Sequence, residues 1–257
     1  MPTSPSRDAG RGSESRGLIR ALRRALRAAA DPAKAPAMQA YMKSQMPYLG
    51  VRAAPLRQAV RPLFAARRLE SFEEWRETIL TLWRGAEYRE ERYAAIELAA
   101  HPAYRPFQTL EALPLYEEMI VSGAWWDLVD TLAGHQIGGL LRNFPAGMAP
   151  TLRAWAADDD LWKRRAAILA QLGFKRDTDR ELLYACIRPS LGRPEFFLRK
   201  GIGWALRQYA RTDPAEVARF VRRHEKLLSP LSRREALRGS HRKPAVRKPR
   251  ASSRHRA

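Results

Sequence analysis

Residues 160–172, DLWKRRAAILAQL, decide the fold class. At about 100° per residue Leu161, Ile168, Leu169 and Leu172 close into one apolar arc, the signature of a helix with a single buried face. Arg165 falls at the centre of that arc, where an unpaired charge is costly. Two roles are open to it: a pair with a buried carboxylate, or a grip on phosphate if the arc faces a groove.

The same period runs outward in both directions. In PEFFLRKGIGWALRQYAR (194–211) Leu198, Ile202, Ala205 and Tyr209 make a core stripe, while Trp204 lies with Lys200, Arg207 and Arg211. An indole on the basic side of a helix predicts an exposed ring available for stacking or cation–π contact, or else one packed onto a neighbouring unit. In WWDLVDTLA (125–133) Trp125, Leu128, Val129, Leu132 and Ala133 form the apolar arc, with Trp126 and Asp130 at its edge. Their i,i+4 relation sets an indole beside a carboxylate on one face. Either the two form a site, or Trp126 is partly buried and Asp130 pairs with an arginine on the next helix.

No segment carries the alternating Val, Ile and Thr pattern of a half-buried strand, so the fold class is all-α. Helix start and stop signals stand near Asp31-Pro32, Pro47, Gly50, Ser71, Gly85, Pro102, Gly123, Pro145, Asp158, Asp177, Pro194 and Asp213-Pro214, giving about a dozen short helices. Trp83, Trp126, Trp162 and Trp204 recur at intervals of 43, 36 and 42 residues, close to the ~40–47-residue period of HEAT and armadillo units. The expected architecture is a curved α-solenoid of HEAT-like antiparallel helix pairs, whose concave groove gathers residues distant in sequence.

The formal charge is +20, and its distribution is uneven. Residues 1–30 hold seven arginines against Asp8 and Glu14, and residues 232–257 hold ten Lys/Arg against Glu235 alone. Both ends are polar and lack an apolar period, which predicts disordered basic tails over 1–16 and 239–257 flanking a folded body over 17–238. Clustered cations attract phosphate backbones, although basic tails also serve only to solubilise. Cys186, in the apolar run LLYACI, excludes an internal disulfide and reads as a buried thiol in a reducing cytoplasm. No apolar run reaches membrane-spanning length, and no secretory signal opens the chain. The five histidines are scattered, and neither a metal-spaced Cys/His or carboxylate cluster nor a Gly-rich phosphate loop appears, so no metal and no cofactor are expected.

Five segments in order, AYMKSQMPYLGV (40–51), AWWDLVD (124–130), LWKRRAAILAQL (161–172), EFFLRKGIGWALRQYARTDP (195–214) and LSPLSRREA (228–236), carry a resemblance. Over about residues 38–237 the chain resembles the AlkD-like DNA alkylation repair glycosylases, a HEAT-like-repeat family. It departs from them in its longer N-terminal lead, its basic C-terminal extension, and Ala124, where relatives often have Ser. The resemblance implies that Trp126, Asp130 and Trp204 line the catalytic groove and that Arg165 holds a phosphate. It puts Tyr41 near the DNA backbone, and Lys200, Arg207 and Arg211 join Arg165 and Tyr41 as the expected DNA-binding set.

The activity implied is hydrolysis of the N-glycosidic bond of cationic alkylated purines in double-stranded DNA, by a cytoplasmic monomer without an enclosing base pocket. The competing functions are a non-catalytic protein that binds DNA structure and a HEAT-type protein-interaction scaffold. The first would need loss of the Trp/Asp set and the second an apolar or acidic concave face.

Overall fold

The computed structural model describes residues 6–238, with side chains from residue 14. Among the described residues there are fourteen α-helices and no strand. They run α1 (Ser6–Ala28), α2 (Ala35–Met42), α3 (Ala53–Ala66), α4 (Phe72–Arg84), α5 (Arg89–Ala99), α6 (Leu113–Gly123) and α7 (Trp126–Leu132). The second half continues with α8 (Gly138–Asn143), α9 (Pro145–Ala157), α10 (Leu161–Leu169), α11 (Arg180–Ile187), α12 (Phe196–Ala210), α13 (Pro214–Arg223) and α14 (Pro230–Ala236).

Local chemistry sets many of the ends. Ser71, Asp160, Asp179, Asp213 and Ser229 each accept a backbone N–H of the first helical turn, and Pro145, Pro214 and Pro230 open their helices where a missing N–H costs nothing. Gly50 is required where it stands: its φ is +84°, and a Cβ there would lie 2.0 Å from the Asp31 carbonyl oxygen. Glu90, fully buried, accepts the N–H groups of Leu49, Gly50 and Val51 at 2.9–3.0 Å, so the turn that carries Tyr48 is anchored to the start of α5.

Packing runs mainly between helices near one another in the chain: α1 on α3 and α4, α4 on α5, α6 on α7, α7 on α10, α9 on α10 and α11, α10 on α12, and α12 on α13 and α14. One continuous apolar core extends from Leu18 to Ala236. Side-chain links between successive layers span a recurring separation: Arg61 to Glu97 (36 residues), Arg84 to Glu118 (34), Arg89 to Asp127 (38), Arg165 to Asp130 (35) and Lys200 to Glu235 (35). Each unit therefore ties mainly to the next, as in a solenoid-like fold. The tryptophans do not mark equivalent positions in those units. Trp83 and Trp162 are buried, whereas Trp126 and Trp204 are half-buried at the groove.

The N-terminal boundary differs from the expected one. Residues 6–16 are helical, not a free tail, because α1 continues through residue 17. Leu18, Leu22 and Leu26 are fully buried at i,i+4 spacing and Thr78 donates to Ser15 Oγ at 2.9 Å, so the packed turns nucleate a helix that extends backward at little cost. Residues 1–5 and 239–257, with the rest of the expected tails, lie outside the described residues.

Candidate functional site

Three helices meet around one ion pair. Arg165 of α10 donates from Nε and Nη2 to the two carboxylate oxygens of Asp130 on α7, at 2.7 and 2.8 Å, and from Nη1 to the Phe197 carbonyl of α12. Parallel donation of this kind fixes a carboxylate in angle as well as position. An aromatic cluster below locks the same three helices, with ring centroids of Trp125 and Phe197 at 5.3 Å, Trp162 and Phe197 at 5.2 Å, and Trp125 and Trp162 at 6.2 Å.

The entry to α7 is tight. Ala124 takes a left-handed conformation (φ +39°), Trp125 is extended, and the Trp125 carbonyl accepts the first helical N–H groups. This two-residue link turns Trp125 inward to the aromatic cluster and Trp126 to the groove. A π-helical turn, Ala133–Ile137, follows immediately after α7, an irregularity concentrated at functional sites.

Asp127, between Trp126 and Asp130, is held from the other side. Arg89 donates to both of its oxygens (2.5 and 3.2 Å), and the Tyr93 hydroxyl donates to Oδ2 at 2.5 Å and lies 2.9 Å from the Tyr48 hydroxyl. Both members of the Arg89–Asp127 pair are buried. Sequence reasoning missed this network. Its signal was YREERY (88–93), where Arg89, Glu90 and Glu91 fill buried positions with charge.

Asp130 is largely but not wholly enclosed, with 14% of its side chain open. Burial pushes its carboxyl above the ordinary 3.8, Arg165 pulls it down, and the Asp127 charge adds to the upward shift. The bidentate pair still favours the ionised form at neutral pH. Tyr41 is 73% exposed and meets the Trp126 ring edge-on at 6.4 Å. A pocket of about 350 Å³ is lined in part by Tyr41, Tyr48, Tyr93, Asp127 and Thr131.

The faces of α12 separate residues that the helical wheel had grouped. Leu198, Ile202 and Ala205 are core. Phe197, Gly201 and Trp204, at i,i+4,i+7, face α10: a Cβ on Gly201 would lie 3.1 Å from Arg165 Nη1, and Trp204 stands one turn further on. Trp204 is half-buried and packs against the core, so of the two readings open to it the packed ring is the one present.

Lys200 and Arg207 flank Gly203 on a different face and pair with Glu235 of α14 (Lys200 at 3.5 Å). A Cβ on Gly203 would meet Glu235 Cβ at 2.6 Å, so these cations clamp α14 to α12 through Glu235. Of the two roles open to Arg165 the structure has the carboxylate pair, with the guanidinium buried and three of its N–H groups donating to Asp130 and the Phe197 carbonyl. Arg211, at the end of α12, is exposed.

Among the described residues no group of three or more His, Cys, Asp or Glu is placed to hold a metal ion, and no helix is long and apolar enough to cross a membrane. Residues 22–239 match the family model described as DNA alkylation repair enzyme. Among solved structures the chain is similar to a predicted DNA alkylation repair enzyme from Enterococcus faecalis. The sequence identity is 30% and the TM-score 0.74, over 83% of this chain and 98% of the other. No curated protein matches the chain.

Proposed function

The chain belongs to the DNA alkylation repair enzyme family, and from that premise we propose that it is a glycosylase releasing cationic alkylated purines, such as 3-methyladenine and 7-methylguanine, from duplex DNA. The observation that carries the reading is the Asp130 carboxylate, held in a fixed plane by Arg165 and left partly open, one helical turn from Trp126, whose ring meets Tyr41. The enzyme acts as a monomer in the cytoplasm, at the nucleoid.

The chemistry follows from charge. Alkylation at a ring nitrogen leaves the purine positively charged and already a good leaving group, so little general-acid help is required. As the glycosidic bond breaks, positive charge develops on the deoxyribose. A preorganised carboxylate stabilises that oxocarbenium character and orients a water for attack on the sugar carbon. Asp130 takes this role. Its orientation is fixed before substrate arrives, so no reorganisation is needed during reaction. The electron-rich faces of Trp126 and Trp204, on the two helices that Arg165 joins, favour the cationic nucleotide. Arg165 acts through Asp130 as a positioning residue.

Two predictions arise here. A neutral base is a poor leaving group that this site does nothing to protonate, so uracil in the same duplex context is released at least ~100-fold more slowly than 7-methylguanine. Comparable rates for the two would overturn the mechanism. Because the active form is ionised, activity is retained above the Asp130 pKa and falls as pH drops through it. Burial raises that pKa, so the acid limb of single-turnover excision, corrected for spontaneous depurination, has its midpoint above 3.8. A midpoint at or below that value contradicts a buried Asp130 as the group that titrates. Release of free base from alkylated duplex is the direct test of the activity.

A further inference from the structure

Among the described α-helices, α2 alone contributes nothing to the core. None of its residues is buried, and no other helix packs closely along it. The chain on either side of it is nevertheless fastened hard. The Asp31 N–H donates to the Leu49 carbonyl at 2.8 Å, and the Arg89 N–H donates to the Pro47 carbonyl at 2.9 Å. Glu90 accepts the N–H groups of Leu49, Gly50 and Val51, and the hydroxyl of buried Tyr48 lies 2.9 Å from that of Tyr93. Residues 32–46 are thus a strap closed at its base, a form common among functional surface loops.

The strap holds itself together without holding on to the body. Gln39 Nε2 donates to the Ser44 carbonyl at 3.2 Å, the Ser44 hydroxyl donates to the Met46 carbonyl at 2.9 Å, and Lys34 pairs with Asp31. Among the described residues, no hydrogen bond or ion pair runs from residues 32–46 to any residue outside 31–46. The strap meets the candidate site through the edge-on approach of Tyr41 to Trp126.

The pocket of about 350 Å³ lies between strap and body. From α2 it is lined by Met38, Tyr41 and Met42, and from α3, α5 and α7 by Leu56, Ile96 and Thr131 among others. Apolar groups across a gap forgo the dispersion contacts that a closed packing gives. Two unbranched methionines suit more than one packing. A helix this short is also not fixed in place by its own hydrogen bonds.

We propose that α2 is a hinged lid. It swings about the fixed base at Asp31 and Leu49, between its present placement and one seated in the pocket, and seating draws Tyr41 off the Trp126 ring. The seated position buries Met38, Tyr41 and Met42 and opens the ring to a nucleotide. The motion follows from the bonding of the strap, and only its use at Trp126 rests on the proposed function.

Pulsed electron–electron resonance between spin labels tests the motion in the full chain, with Cys186→Ala so that only introduced cysteines react. One labelled pair joins Ala37→Cys on α2 to Arg223→Cys at the end of α13, and the control pair joins Arg20→Cys on α1 to Arg223→Cys, all at exposed positions. The α2 pair is expected to give two distances where the control gives one. Ala53→Phe, at an exposed position that lines the pocket, fills the space in which α2 seats. It is expected to remove one of the two distances and to leave the control pair unchanged. A single distance as narrow as that of the control, or two distances that Ala53→Phe leaves as they are, overturns the proposal. No DNA is present in these measurements, so a failure of the glycosylase reading leaves them untouched. Excision is the second readout: Ala53→Phe slows release of 7-methylguanine, and an unchanged rate would overturn the link between the lid and Trp126.

Discussion

Replacing Asp130 with Asn lowers single-turnover release of 7-methylguanine by at least ~100-fold, the usual scale for a positioned charged group that stabilises a transition state. The substitution keeps volume and one acceptor oxygen, so the site remains shaped, but the negative charge that opposes the developing sugar cation is lost. It also leaves Arg165 facing a neutral amide within the fold. Far-UV circular dichroism and a thermal melt of the variant at the assay temperature separate loss of chemistry from loss of structure. A folded Asp130→Asn variant with near-wild-type release would remove Asp130 from the mechanism.

The second large effect is on stability. Arg89→Ala leaves the buried Asp127 carboxylate with the Tyr93 hydroxyl but without its counter-charge. Breaking a buried pair from one side costs about 3–5 kcal/mol, or roughly 6–20 °C in melting temperature for a chain of this size. The comparison is Arg27→Ala, which breaks a pair with Glu87 whose two side chains are each more than half exposed; exposed pairs contribute about 0–1 kcal/mol. Because Asp127 lies between Trp126 and Asp130 on α7, Arg89→Ala variants that remain folded at low temperature also lose excision. Equal melting shifts in the two variants would mean that the Arg89–Asp127 pair does not hold α7.

What could be read from the chain was whatever local chemistry decides. Ser71, Gly85, Pro145 and Asp213-Pro214 end or begin helices through groups that act within a turn, so their signals stand in the sequence. Periodicity placed Leu128, Val129 and Leu132 of α7, Ile168 and Leu169 of α10 and Leu198, Ile202 and Ala205 of α12 in the core, but Tyr209 is only half-buried, and α10 is buried at Trp162 and from Arg164 to Leu169 rather than on one face. What could not be read was pairing between layers. A helical wheel shows Arg165 on an apolar arc but not that its partner lies 35 residues away, nor that the partner is Asp130. Lys200 and Arg207 shared a side with Trp204 on the wheel, yet α14 crosses at Gly203 and claims both through Glu235. The Tyr48–Tyr93–Asp127–Arg89 network joins three separate segments through side-chain bonds, a relation that a linear reading of residue types does not expose. The tryptophan spacing matched a repeat period while joining residues in different environments, so the period was better carried by the cross-layer bonds.

The most direct test is the identity of the product. Wild-type protein is incubated with a duplex carrying a single 7-methylguanine, and the soluble fraction and the strand are each analysed by mass spectrometry. Free 7-methylguanine in solution and an abasic site in an otherwise intact strand are the expected products. DNA that is bound with its lesion unchanged, or a strand in which the methyl group alone has gone and guanine remains, would contradict it.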